Sequence, residues 1–168
     1  MNFSIGVEYA LHCLVYLVDV PFGKSIGIKD LAKYQGVSET YLSKIFTKLK
    51  KAGIVSSTPG VKGGYELSRK PEMINFWEVV RAIEGDIDFF QCKEIRQRCI
   101  LYQGEAVPDW VTQNSCIIKC VMSEAEQKMQ DFLQSKSLLW LYEMLNDKMS
   151  EVQQRAKRDW FKNALSDH

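Results

Sequence analysis

The sequence predicts a mainly α-helical protein carrying one small β-hairpin, and three observations support this. Apolar residues recur at helical spacing along most of the chain. Glycines, serines and an asparagine stand where such helices would start and stop. Finally, the turn-rich stretch Thr58-Pro59-Gly60-Val61-Lys62-Gly63-Gly64 separates two short runs suited to strands.

Val7, Leu11, Leu14 and Val18 form one stripe and predict a first helix over 2–18, broken by Pro21, Phe22 and Gly23. A short second helix runs from Ile28 to Tyr34, between Gly27 and Gly36. Ser38 is a good N-cap for a third helix reaching about Ala52. There Leu42, Ile45, Phe46 and Leu49 face inward, leaving Thr40, Ser43, Lys44, Thr47, Lys48 and Lys51 outward. Strands follow at Ile54-Val55 and Tyr65-Glu66-Leu67. Asn75 and Glu78 form a capping box for a helix that Gly85 stops. Two helices, a tight turn and a hairpin are the order of a winged helix-turn-helix.

Beyond Gly85 the pattern changes. Residues 86–121 hold four of the five cysteines and little periodicity. Ser123 and Glu126 read as a second capping box that opens a helix with Ala125, Met129, Phe132 and Leu133 inward. Ser135-Lys136-Ser137 interrupts it. Leu138, Tyr142, Leu145, Met149, Val152 and Ala156 then repeat at heptad spacing, which predicts a seam shared with a partner helix. The expected organisation is a winged helix-turn-helix over 1–86, a cysteine-bearing sensor loop over 87–121, and long C-terminal dimerisation helices over 122–168.

Composition narrows the function. The longest apolar run, Cys13 to Val18, is far too short to cross a bilayer, and no leader pattern is read, so no membrane partner and a cytoplasmic protein are expected. There the cysteines stay reduced. The net charge of +1 is uninformative, but its distribution is not. Residues 1–70 carry ten Lys/Arg against five Asp/Glu, and the remainder twelve against sixteen. Contact with a polyanion is therefore expected at the N-terminal end. No glycine-rich phosphate loop, zinc-helix motif or serine triad is present, and the only histidines are His12 and His168, so an enzyme is disfavoured.

The third helix suits a major groove. Ser38, Thr40, Tyr41, Ser43 and Lys44 are the candidates for base edges and phosphates, with Asn2 beside them and Lys48, Lys50 and Lys51 adding phosphate attraction. Lys62 and Gly63 at the hairpin tip suit a minor groove or a phosphate ridge. One small module lacks the surface for specific binding, so a homodimer on double-stranded operator DNA is expected. A winged-helix scaffold that binds only protein remains the alternative outside transcription.

The run from Gly36 to Val55 resembles the recognition segment of the Rrf2 family of bacterial transcription regulators. The similarity continues through Gly63-Gly64-Tyr65-Glu66-Leu67 and Glu78-Val79-Val80-Arg81-Ala82-Ile83-Glu84-Gly85, and Tyr9-Ala10-Leu11 also fits. It implies a homodimer built on the long helix after the cysteine loop, with the third helix in the major groove and the wing in the minor groove. Pro59 stands where many members carry arginine, and Ser43 where a glutamate is common. The tail after about Asp147 exceeds the family norm.

The resemblance also implies a ligand set. Cluster-binding members hold a [2Fe–2S] or [4Fe–4S] centre on three cysteines of this loop and a variable further ligand. By position these are Cys92, Cys99 and Cys120, with Cys116 a substitute or fourth ligand. The spacings here are six, sixteen and three residues. Thiolates suit iron–sulfur clusters and tetrahedral zinc, while exposed thiols beside Lys93, Arg96 and Arg98 also suit oxidation without any cluster. The expected function is a regulator, a repressor by preference, that senses redox, nitric oxide or iron–sulfur status. The alternative is a thiol-oxidation or effector-responsive regulator without a cluster. Cys13 is expected in the core, and His12 at the surface or satisfied on its helix.

Overall fold

The computed structural model describes residues 2–21, 23–60, 63–86 and 89–166. Two compact units emerge, one of residues 2–85 with 133–168 and the other of residues 86–132.

The first unit begins with α1 (Ile5–Leu17), α2 (Ile28–Gln35) and α3 (Glu39–Lys51). Gly36 closes α2 in the left-handed region at φ 72°, which lets Val37 N–H reach back to the Ala32 carbonyl. Ser38 caps α3 by accepting from Tyr41 N–H, a contact worth about 1 kcal/mol. Strands β1 (Val55–Thr58) and β2 (Gly64–Leu67) pair antiparallel, with Val55 opposite Leu67 and Thr58 opposite Gly64. Ile26 adds a bridge to Tyr65, in both directions at 2.9–3.0 Å. A Cβ on Gly64 would meet the Ile26 carbonyl oxygen at 2.4 Å, so only glycine fits under this bridge.

Helix α4 (Phe76–Glu84) opens with the expected Asn75–Glu78 capping box. Glu84 at its end accepts from the backbone N–H and hydroxyl of Ser4, which ties α4 to the start of α1. Leu14, Leu17, Leu31, Leu42, Phe46, Leu49, Ile54, Ile74 and Val79 fill the core with 2% exposure or less. Cys13 is fully buried, and burial pushes its thiol up to about 12.

The C-terminal part departs from the expected seam. Helix α7 (Leu138–Lys148) is capped by Ser137 and lies on the N-terminal part of its own chain: Leu138 is buried and its N–H donates to the Ile74 carbonyl. The helix then stops, because Ser150 and Gln153 make a capping box that starts a new helix, α8 (Glu151–Ser166). Heptad spacing runs through this break, but Val152 is 78% exposed, while Tyr142 turns to Asp19 of the same chain. Helix α8 packs on α1 and α2 through Phe161 and Trp160, whose rings meet Tyr34, and Phe161 also meets Tyr16.

The second unit holds two 3₁₀ turns, Ile95–Arg98 and Ile100–Tyr102, a single turn α5 (Asp109–Thr112), and the start of α6 (Ile117–Gln134). The helix expected to open at Ser123 opens six residues earlier. Ser123 and Glu126 lie inside it, since Ile117, Ile118, Val121 and Met122 carry the apolar pattern upstream. Val111 is the one buried side chain among the described residues of 86–132.

Candidate nucleic-acid interface and cysteine site

Helix α3 is built with two faces. Leu42, Ile45, Phe46 and Leu49 are buried, whereas Ser38, Thr40, Lys44, Thr47, Lys48 and Lys51 are exposed. The exposed face is therefore hydroxylic at its N-terminus and cationic towards its C-terminus. Tyr41 sits between the faces at 36% exposure, its ring edge-on to Tyr9 at 5.6 Å. A Cβ on Gly6 would lie 3.5 Å from the Tyr41 hydroxyl oxygen, so α1 and α3 together set this ring. In the sequence Tyr9 stands out only through the family resemblance of Tyr9-Ala10-Leu11, and its contact with Tyr41 has no local signal.

The remaining candidates divide. Ser38 spends its hydroxyl on the cap. Ser43 is half-buried, and its carbonyl accepts from the Thr47 hydroxyl. Lys48 donates its amine to the Ile83 carbonyl at 2.6 Å, in the last turn of α4 where a cation is favoured. Lys50 is likewise engaged with Ser57 of β1. Thr40 and Lys44 stand outward on α3, and Asn2 is exposed ahead of α1. Gly63 closes the wing tip: its N–H donates to Gly60, and a Cβ there would collide with the Thr58 carbonyl oxygen at 2.1 Å. Lys62 lies outside the described residues.

In the other unit the four cysteines are free thiols with different surroundings. Cys116 precedes α6, and its carbonyl accepts from Cys120 N–H at 2.9 Å. The Lys119 and Ile118 backbone, the Cys92 side chain and the Arg96 charge all favour the ionised form of the Cys116 thiol. The Lys119 backbone leads in holding it below its ordinary range. The Cys92 thiol donates to Glu94 at 3.6 Å, and Glu94 anchors Arg96 at 2.8 Å. Arg96 reaches on to the Asn114 carbonyl. Cys99 is half-buried and Cys120 exposed.

An iron–sulfur centre or a structural zinc takes three or four protein ligands. Among the described residues no three Cys, His, Asp or Glu side chains converge to hold a metal ion. Cys92, Cys99, Cys116 and Cys120 thus do not form a ligand set for a cluster in this arrangement.

A helix-turn-helix followed by an antiparallel hairpin, with a cationic outer face on its second helix, defines a winged-helix DNA-binding protein. The family model described as "Rrf2: Iron-dependent Transcriptional regulator" matches residues 3–144, and the chain belongs to that family. Among similar proteins, the putative HTH-type transcriptional regulator YwgB of Bacillus subtilis is 30% identical over 82% of both chains. The HTH-type transcriptional regulator IscR of Aliivibrio salmonicida is 29% identical over 80% of this chain and 71% of its own. The solved structure of IscR from T. potens shares the fold with a TM-score of 0.64, at 23% identity, over 90% of this chain and 93% of its own. CymR of B. subtilis does so with a TM-score of 0.60, at 22% identity, over 86% and 98%. The protein is thus a transcription regulator and not an enzyme. No helix among the described residues is long and apolar enough to cross a membrane.

Proposed function

We propose that two copies of this chain bind a near-palindromic operator in the cytoplasm as a homodimer and repress transcription. Each α3 enters a major groove, with Thr40, Tyr41, Ser43 and Lys44 towards base edges and phosphates and Ser38 at the helix cap. Asn2 meets the backbone, Lys62 and Gly63 lead the wing into the minor groove, and Lys48 holds the end of α4 while adding its charge to the field. Residues 1–86 act as the reader, 87–121 as the sensor, and 122–168 contribute the dimer contact.

The observation that carries this reading is the divided surface of α3, fully buried on one side and cationic on the other. The dimer contact falls on α6. Ile118, Met122, Ala125, Met129 and Phe132 repeat at spacings of four and three, and α6 has no buried residue. A stripe of this length is the kind that a second α6 would cover. The sensor works through Cys92, Cys99, Cys116 and Cys120. Four free thiols that do not gather into a ligand set favour redox status over iron–sulfur or nitric-oxide status as its input.

Operator selection with the full chain, followed by gel shifts across a salt series, tests the proposal. One enriched palindromic sequence, with affinity falling steeply as salt rises, is the expected result. No retarded duplex at low salt, with reduced or oxidised protein, contradicts it and favours a scaffold that binds only protein.

A further inference from the structure

We propose that Tyr9 is a positioning residue for operator reading: it touches no DNA itself and holds the Tyr41 ring against the first turn of α1, so that the phenol meets the duplex already in place. The inference rests on the reading of α3 as the helix that enters the major groove, and it adds a residue outside α3 to the reading head.

Tyr41 is held at both ends. It is the third residue of α3, and its backbone N–H donates to the Ser38 hydroxyl oxygen at 3.4 Å, so the cap sets where the side chain leaves the helix. Its ring meets Tyr9 edge-on, with 5.6 Å between centroids and 85° between planes, an arrangement that aromatic pairs favour. Its hydroxyl lies over Gly6, three residues before Tyr9 and on the same face of α1, where a Cβ would come within 3.5 Å of that oxygen. Helix α1 is itself anchored at this point. Ser4 donates its backbone N–H and its hydroxyl to Glu84 at 2.8 and 2.6 Å, and a Cβ on Gly6 would meet the Ile83 side chain at 3.0 Å. The Ile83 carbonyl takes the Lys48 amine at 2.6 Å. The last turn of α4 therefore grips α1 through Ser4 and α3 through Lys48, and the Tyr9–Tyr41 contact closes between those two helices.

The neighbouring candidates on α3 differ. Thr40 and Lys44 stand outward, and Lys44 carries its charge on a flexible stem that has to be ordered when DNA arrives. Tyr41 is 36% exposed with its ring already set. A phenol hydroxyl both donates and accepts, so it suits a phosphate oxygen or a base edge. Without the Tyr9 ring, Tyr41 samples other rotamers, and part of the affinity goes to selecting the reading one. The contact is made by the two rings, so phenylalanine serves at position 9 as tyrosine does.

The test is a double-mutant cycle on a selected operator duplex, with the folded fraction of every variant fixed by urea unfolding. Tyr9→Leu is expected to weaken binding about three- to tenfold, and Tyr9→Phe by less than about twofold. Tyr41→Ala is expected to weaken it at least as much as Tyr9→Leu, and adding Tyr9→Leu to Tyr41→Ala to change it by less than about twofold. Ring resonances of Tyr41 in tyrosine-labelled protein give a readout that needs no DNA: they should shift in Tyr9→Leu and hold in Tyr9→Phe. Equal weakening by Tyr9→Leu in both backgrounds, unaltered affinity in Tyr9→Leu or in Tyr41→Ala, or Tyr41 resonances that ignore Tyr9→Leu overturns the proposal. A wild-type chain that binds no duplex at low salt defeats the parent reading, whereas operator binding with an additive cycle defeats the positioning role alone.

Discussion

Helices α6 and α8 are of similar length and invert each other's expectations. α6 carries a heptad-spaced apolar stripe yet buries nothing, with Ile117 and Ile118 at 80% and 64% exposure. α8 is far more polar, yet buries Phe161 and the charged Lys157. What holds α8 is specific and local. Lys157 pairs with Asp19 at 2.9 Å, donates to Asn146 at 2.9 Å and lies 4.7 Å over the Tyr142 ring. Tyr142 in turn donates its hydroxyl to Asp19. The difference teaches that apolar period tells where a helix wants cover, while the source of that cover depends on partners that period does not encode.

Variants can break or sharpen this contrast. The largest effect is expected from Met122→Glu on α6. A charge in the stripe should leave chain stability within about 0.5 kcal/mol and dissociate the dimer. Operator affinity should then fall on the order of 100-fold or more, as one module lacks the surface for specific binding; sedimentation and gel shifts measure both. Phe161→Ala on α8 should do the reverse, costing about 3–5 kcal/mol of unfolding free energy in urea without changing the dimer. Lys157→Ala should cost about 2 kcal/mol, because Asp19 is left without its cation in a half-buried site. Pairing Lys157→Met with Asp19→Asn should recover most of that loss. The smallest effect is expected on DNA. Lys44→Ala should weaken binding several-fold and reduce the salt slope by about 0.9 per lost phosphate contact. Lys48→Ala should change that slope less, since its amine already serves the end of α4.

The reader was legible because each of its elements is punctuated by local chemistry. Gly36, Ser38, the Asn75–Glu78 box and Gly85 mark the ends of α2, α3 and α4 within a residue or two of where they fall. The Ile26–Tyr65 bridge was not legible, because a single isoleucine in a loop has no periodicity to betray it. Two capping-box patterns misled in opposite ways. Ser123 and Glu126 match the motif inside a helix whose apolar stripe starts upstream. Ser150 and Gln153 make a real cap that continuous heptad spacing concealed. The Asp19, Tyr142 and Lys157 cluster joins positions more than a hundred residues apart, and nothing local pairs them. Among the cysteines, the resemblance puts Cys92, Cys99 and Cys120 first and Cys116 as a substitute or fourth; the start of α6 instead sets Cys116 apart.

The central claim is that two readers are held together by α6 so that both α3 helices meet one duplex. Sedimentation equilibrium of the full chain, alone and with a selected operator duplex, tests it most directly. The account predicts two chains in the free species and two chains per duplex. A single chain in both samples would contradict it.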